Sequence, residues 1–324
     1  MAKKRLSIGY KILLTPEIGV LIPILLLVVF TSFMTPNFLT ARYLTSILNA
    51  CVFIGAAALA EAMVILCGEI DLSVGFAGTL SAVVFGHSAM AWGFGPVPAF
   101  LIALCTGGAV GWLNGFLIYK IGINSWITTL ATQFICQGIA VTITQGLPQS
   151  IDSLGLQSFT RARPLGFSWL LFIFILMIIV LDLLVRRTRF GFKLRAVGGN
   201  ADAANMAGIN VRYIKWAAFV LAGILAACSG IFDTLQNNSA SDTFGAGREF
   251  RAIICCAIGG ISMAGGAGSI YGVGLGVLLF HVLWFCLRIL GVNTNLQLVL
   301  IGFILILAVL LDLQRKRVEA RKLI

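Results

Sequence analysis

Long apolar stretches alternate along the chain with short polar or glycine-rich interruptions, and their lengths carry the first information. A helix needs about 20 apolar residues to cross a bilayer. Ten stretches approach that length, at about 17–35, 45–66, 72–92, 97–118, 126–146, 167–185, 212–235, 250–263, 269–290 and 295–313, the eighth being short. The first follows basic residues, as a signal peptide would. Its run from Glu17 to about Met34 is too long for that and lacks an A-x-A site, so it is read as a retained span. The fold class expected is an all-α polytopic transmembrane helix bundle of about ten helices. Residues 1–324 form one unit, with an N-terminal segment 1–16, a polar loop 186–211 and a tail 314–324. Ten spans divide into five and five, which would relate the halves as an inverted repeat. No sequence match between the halves supports that division.

Composition agrees with a lipid environment. Hydrophobic residues make up 59% of 324 positions and charged ones 11%, too little charge to clothe a soluble surface. The net charge of +11 would raise nucleic acid as a partner, but the basic residues are not spread as a groove-like face. They stand in runs between spans: Lys3-Lys4-Arg5, Arg186-Arg187 with Arg189, Lys193 and Arg195, and Arg315-Lys316-Arg317. With an internal N-terminus, seventeen of the 23 basic residues fall on the inner side, as cytoplasmic segments require. Both termini are then cytoplasmic.

Polar chemistry is sparse enough to enumerate. Gly68-Glu69-Ile70-Asp71-Leu72-Ser73-Val74-Gly75 sets two carboxylates and a hydroxyl between apolar stretches. Such groups are costly in hydrocarbon and usually face a cavity or a partner. Glu69, Asp71 and Ser73 therefore either mark a broken helix beside a solute path, or Glu69 and Asp71 merely cap helix ends, Asp71 standing just before a span. Glu61, inside the second span, either pairs with a polar group or points into a cavity. The fifth span carries a stripe of Ser125, Thr128, Thr129, Thr132, Gln133, Cys136 and Gln137 at helical spacing. Thr129, Thr132 and Gln133 could exchange hydrogen bonds with a neutral polyol, or with neighbouring helices. Gly107, Gly111 and Gly115, and again Gly268, Gly272 and Gly276, recur every four residues and are read as close-packing faces.

Other chemistries find little footing. The eight cysteines form no C-x-x-C pair and are read as small packing residues, and the two isolated histidines, His87 and His281, as packing groups. No cofactor or metal is expected. Neither H-E-x-x-H nor G-x-S-x-G occurs, so the chain is not expected to be an enzyme; no G-x-x-x-x-G-K-[ST] occurs, so it is not expected to cradle nucleotide phosphates.

The octet from Gly68 to Gly75 resembles the signature of ribose/xylose/galactose-type permeases of bacterial ATP-binding-cassette importers. Gly191 to Asn200, followed by Ala203-Ala204 and Gly208-Ile209-Asn210-Val211, resembles a second motif of that family, and Glu249 to Gly272 a third. They occur in the family's order and cover nearly the whole chain. The resemblance implies a type II ABC-importer fold in a bacterial inner membrane, a separate ABC ATPase with tandem nucleotide-binding domains, a periplasmic or lipid-anchored solute-binding protein, and a second permease chain. It implies a cytoplasmic coupling role for 190–211, with Asn200 capping a short helix through Ala203 and Ala204 that Gly208 stops, and with Gly198 in the same motif; the alternative is an ordinary basic loop. It also implies that the binding protein docks beside Asp242, Arg248 and Glu249 in loop 236–251, the alternative being simple solvation. Where the family often has an acid, Arg251 stands here. The function expected is translocation of a monosaccharide or small polyol, driven by ATP hydrolysis in another subunit. An ion-coupled secondary transporter using Glu61, Glu69 and Asp71 is the second reading.

Overall fold

The structure is a computed structural model that describes residues 16–35, 38–151 and 154–322. Thirteen α-helices succeed one another among the described residues: α1 Pro16–Met34, α2 Ala41–Leu66, α3 Val74–Met90, α4 Pro96–Phe116, α5 Ser125–Thr144, α6 Leu154–Arg161, α7 Trp169–Arg187, α8 Arg189–Gly199, α9 Ala201–Met206, α10 Val211–Asn237, α11 Arg248–Ile258, α12 Ile270–Ile289 and α13 Thr294–Lys322. Most of the N-terminal segment lies outside the described residues.

Six helices are long and apolar enough to cross a membrane: α2, α4 with its extension to Ile121, α5, α7, α10 and α12. Shorter apolar helical stretches run over Val20–Met34, Val74–Met90 and Thr294–Leu307. All lie where the hydropathy pattern puts spans. The remaining expected span, 250–263, is the eleven-residue α11, which stops at Ile258 because Gly259 and Gly260 follow it.

Composition separates inner from outer helices. From Gly55 to Leu66 every residue of α2 is buried, and α3 is buried almost throughout. These helices are rich in Ala, Gly and Ser and have helices on all sides. By contrast α1, α5, α7 and α13 turn Leu, Ile and Phe outward, with Phe33 84% and Phe303 66% exposed, the surface that lipid covers without penalty. α10 packs on α2, α3 and α4, and α12 on α1, α2 and α11.

Close helix approach depends on glycine. A Cβ on Gly111 would stand 2.1 Å from the Phe219 carbonyl oxygen, and one on Gly223 2.1 Å from that of Gly107, so α4 and α10 touch backbone to backbone. Gly272 and Gly276 likewise bring α12 against Cys255 of α11 and Gly259 just beyond its end. Gly268 departs from the expected face. It precedes the N-cap Ser269, outside the helix. Cys105 also departs from expectation: six of the cysteines are buried and Cys228 partly so, but Cys105 is exposed on α4.

Short features outside the expected spans, α6 among them, escaped the hydropathy pattern. β1 Gln149–Ser150 pairs antiparallel with β2 Ser239–Ala240, with Gln149 opposite Ala240, and closes one end of the bundle near the C-terminus of α3. At the opposite end, α8 and α9 stand between α7 and α10.

Candidate functional site

α2 ends in a glycine-terminated turn. The Gly68 N–H donates to the Ile65 carbonyl (2.9 Å) and the Glu69 N–H to that of Val64 (3.1 Å), with Gly68 at φ +82°. This is the hydrogen-bond pattern of a Schellman stop. The chain then runs without helix to Val74, so the octet is a break between two buried helices.

Each polar residue of that break has a defined partner. The Asp71 N–H donates to Glu61 Oε1 at 3.2 Å, which answers where Glu61 points: back onto the break, from inside α2. Asp71 Oδ1 accepts from the Ser73 N–H (2.8 Å) and hydroxyl (2.6 Å), and Ser73 Oγ accepts from Asn114 Nδ2 (2.9 Å) on α4. Asp71 is therefore not the cap of α3, a correction to the capping alternative. Ser73 holds the N-cap position, and the carboxylate grips Ser73 from two residues before. Glu69 turns the other way. Its Oε2 accepts from Ser125 Oγ at 2.6 Å, and its Oε1 lies 2.7 Å from Lys215 Nζ on α10.

The α5 stripe faces α3, as its spacing implies, but beyond Ser125 its threonine hydroxyls are spent locally. Thr129 Oγ1 donates to the Ser125 carbonyl (2.8 Å) and Thr132 Oγ1 to that of Thr128 (3.0 Å), both side chains buried. Gln133, half-buried, lies beside Glu249 of α11. Two buried acceptors around this interior, Glu61 Oε2 and Asn114 Oδ1, have no donor among the described residues.

The segment beyond α7 is helical rather than an open basic loop. Thr188 caps α8 by accepting from the Gly191 N–H at 3.1 Å. Asn200 caps α9 by accepting from the Ala203 N–H at 2.9 Å. The Gly208 N–H then donates to Asn205 (2.9 Å) and the Ile209 N–H to Ala204 (3.0 Å), with Gly208 at φ +80°, so the helix ends where the sequence expected. Ala204 is the buried residue of α9, while Asp202, Ala203, Asn205 and Met206 are exposed. A cavity of about 580 Å³ opens between this helix and the start of α10, lined by Asp202, Asn205, Asn210 and Arg212 among others.

α8 meets the break directly. A Cβ on Gly198 would lie 2.0 Å from the Leu66 carbonyl oxygen and 2.6 Å from the Gly266 nitrogen. That nitrogen donates to Leu66 O at 3.0 Å. Arg195 donates to the Gly268 carbonyl (2.9 Å) and Arg186 to Ser269 Oγ (3.0 Å). The two non-helical connections, 67–73 and 259–269, thus converge on α8.

At the other end, Arg248 and Glu249 are corrected as surface charges, because both are buried. Arg248 forms an ion pair with Asp233 of α10 and donates to Ser229 Oγ (2.9 Å) and the Phe244 carbonyl (2.8 Å). Ser229 in turn donates to the Phe53 carbonyl of α2 at 2.7 Å. A guanidinium in a lipid-embedded bundle needs such partners. Asp242 alone of the three expected docking residues is partly exposed.

Sequence reasoning missed Lys215, Asn114 and Asp233. Asp233 carried a usable signal, an acid within an apolar run that must find a cation. Asn114 carried none.

Comparison with known proteins bears on the whole chain. Residues 43–309 match the family described as branched-chain amino acid transport system / permease component. The ribose import permease protein RbsC of Bacillus subtilis is 34% identical over 298 residues, covering 91% of this chain and 92% of that protein. Its namesake in Escherichia coli is 33% identical over 302 residues, 90% of this chain and 92% of that protein. The L-arabinose ABC transporter permease protein AraH of Azospirillum brasilense is 34% identical over 304 residues, covering 92% and 88%. No solved structure matches the chain.

Proposed function

The chain belongs to the family of branched-chain amino acid transport system / permease components, and from that premise we propose that it is the permease subunit of a binding-protein-dependent ABC importer for a monosaccharide or small polyol. The observation that carries this is likeness to ribose and arabinose permeases along about nine-tenths of both chains. The sugar reading is preferred to an amino-acid solute because relatives named for ribose, arabinose, fructose and galactose all align.

On this reading the chain spans a bacterial inner membrane ten times as one unit, through α1–α5, α7 and α10–α13, with both termini cytoplasmic and the halves related as an inverted repeat. The segment 186–211 docks on the ABC ATPase, with α9 as the docking helix: Asn200 fixes its start, Ala203 is presented, Ala204 anchors it, Gly208 ends it and Gly198 seats α8 on the break. The ATPase supplies the energy, and no covalent chemistry falls to this chain. Glu69, Asp71 and Ser73 at the break and Thr129, Thr132 and Gln133 on α5 belong to the wall of the solute path, completed by a second permease chain. A solute-binding protein docks at the β1/β2 end, where Asp242 is available to steer it.

Purified chain reconstituted with its ATPase and binding protein is expected to take up sugar only with ATP inside the ATPase compartment. Uptake that persisted without ATP and collapsed with an ionophore would instead support the ion-coupled reading, for which the donorless Glu61 Oε2 is the supporting observation. Wild-type uptake after replacing Thr129, Thr132 and Gln133 together with Ala would remove α5 from the path.

A further inference from the structure

We propose that the Glu69–Lys215 ion pair is a latch through which displacement of the α8–α9 segment reaches the break in the transmembrane core, so that Glu69, within the wall of the path, acts as a positioning residue. This rests on the importer reading, in which α8–α9 receives the ATPase stroke.

Three observations converge on it. Both carboxylate oxygens of Glu69 are committed, one to Ser125 at the start of α5 and one to Lys215 on α10. The residue therefore joins three elements: the break, α5 and α10. Lys215 lies one turn into α10, whose N-cap Asn210 accepts from the Tyr213 N–H at 3.0 Å and directly follows the stop of α9. A shift of α9 thus reaches Lys215 within a handful of residues. Meanwhile α8 grips the same break from its other side. Gly198 abuts the Leu66 carbonyl, Gly266 donates to it, and Arg195 holds Gly268. The break is consequently seized at Leu66 by backbone contact and at Glu69 by charge.

Exposure decides which of the two contacts can let go. The Lys215 and Glu69 side chains retain 13% and 19% of their exposure. A pair at the water's edge is neither as costly to part as one sealed in the core nor as weak as one fully solvated. The backbone junction has no such freedom, because neither carbonyl nor glycine can retreat without moving its helix. Displacement of α8–α9 would therefore carry Leu66 along while the ion pair opens, changing the angle between α2 and α3 at the octet.

The test uses the full chain with its ATPase and binding protein in proteoliposomes. Lys215→Met is expected to co-purify with the ATPase, to lower uptake about tenfold, and to raise ATP hydrolysis in the absence of binding protein, a size typical of coupling between sites. Glu69→Gln should behave alike. Exchanging the charges, Glu69→Lys with Lys215→Glu, should restore uptake to within about threefold of wild type, as expected for residues in direct contact. The proposal is overturned if the neutral variants keep wild-type uptake. It is overturned equally if uptake and ATP hydrolysis fall in parallel, which a merely structural role predicts. Should the exchanged pair fail to assemble, the hydrolysis measurement on Glu69→Gln decides alone. Failure of the importer reading itself would be seen in the wild type, as absence of ATP-dependent uptake.

Discussion

Helix α10 carries an ion pair near each end, and the two are built differently. Asp233 and Arg248 are each 8% exposed, and the guanidinium also holds Ser229 and the Phe244 carbonyl, tying α2, α10 and α11 together. Glu69 and Lys215 are 19% and 13% exposed and join the break to α5 and α10 beside the α8–α9 segment. Burial makes the first pair expensive to break, because either charge left alone is stranded out of water. Partial access to water makes the second reversible. The same interaction type thus serves as a fixed anchor at the β1/β2 end and as a contact that can be opened at the other.

The sharpest way to break that comparison is to remove one partner from each pair. Arg248→Ala is expected to cost about 3–5 kcal/mol of stability, the usual penalty for stranding a buried charge, read as a lower unfolding temperature in detergent. Arg248→Met combined with Asp233→Leu should recover most of the loss, since no charge is then orphaned. If Arg248→Ala proves no more harmful than Lys215→Ala, the distinction between the ends fails. Next in size is the backbone contact of α10 with α4, one turn from Lys215. Gly111→Ala should cost about 1–3 kcal/mol by forcing apart α4 and α10, whereas Gly138→Ala, which meets open space, should stay within about 0.5 kcal/mol. At the α8–α9 end, Asn200→Ala should cost about 1 kcal/mol, visible as faster hydrogen exchange at the Ala203 amide while the α10 amides keep their protection. Lys215→Ala should cost little stability, at most about 1 kcal/mol, even though transport should suffer as described above. A large stability loss there would make the two pairs alike.

How far the molecule could be read from its sequence follows the range of the interactions involved. Hydropathy located the spans because crossing a bilayer is a local demand on composition, and α2, α5, α10 and α12 begin and end within a few residues of expectation. Asn200 and Gly208 were readable because caps act over three or four residues. Glycine spacing on α4 announced close packing but not its partner, α10, because a face says nothing of what lies across it. Partnerships across the chain left no trace. Glu69 meets Lys215 146 residues away, and Ser73 meets Asn114 41 residues away. Arg248 and Glu249 were misjudged for a related reason. A charged run after an apolar helix reads as a solvated loop unless Asp233, a turn inside that helix, is recognised as needing a cation.

The length of α10 ties the protein to the membrane around it. Lys215 and Asp233 are separated by about 27 Å along a helix rising ~1.5 Å per residue, close to the ~30 Å thickness of a bilayer's hydrocarbon core. If α10 crosses the bilayer along its length, as proposed, each pair would sit where acyl chains give way to headgroups. A thicker bilayer would draw Lys215 into hydrocarbon and strengthen its hold on Glu69, while a thinner one would wet it. Uptake in vesicles made from lipids of graded chain length should accordingly pass through a maximum, making bilayer thickness a control on how readily this permease turns over.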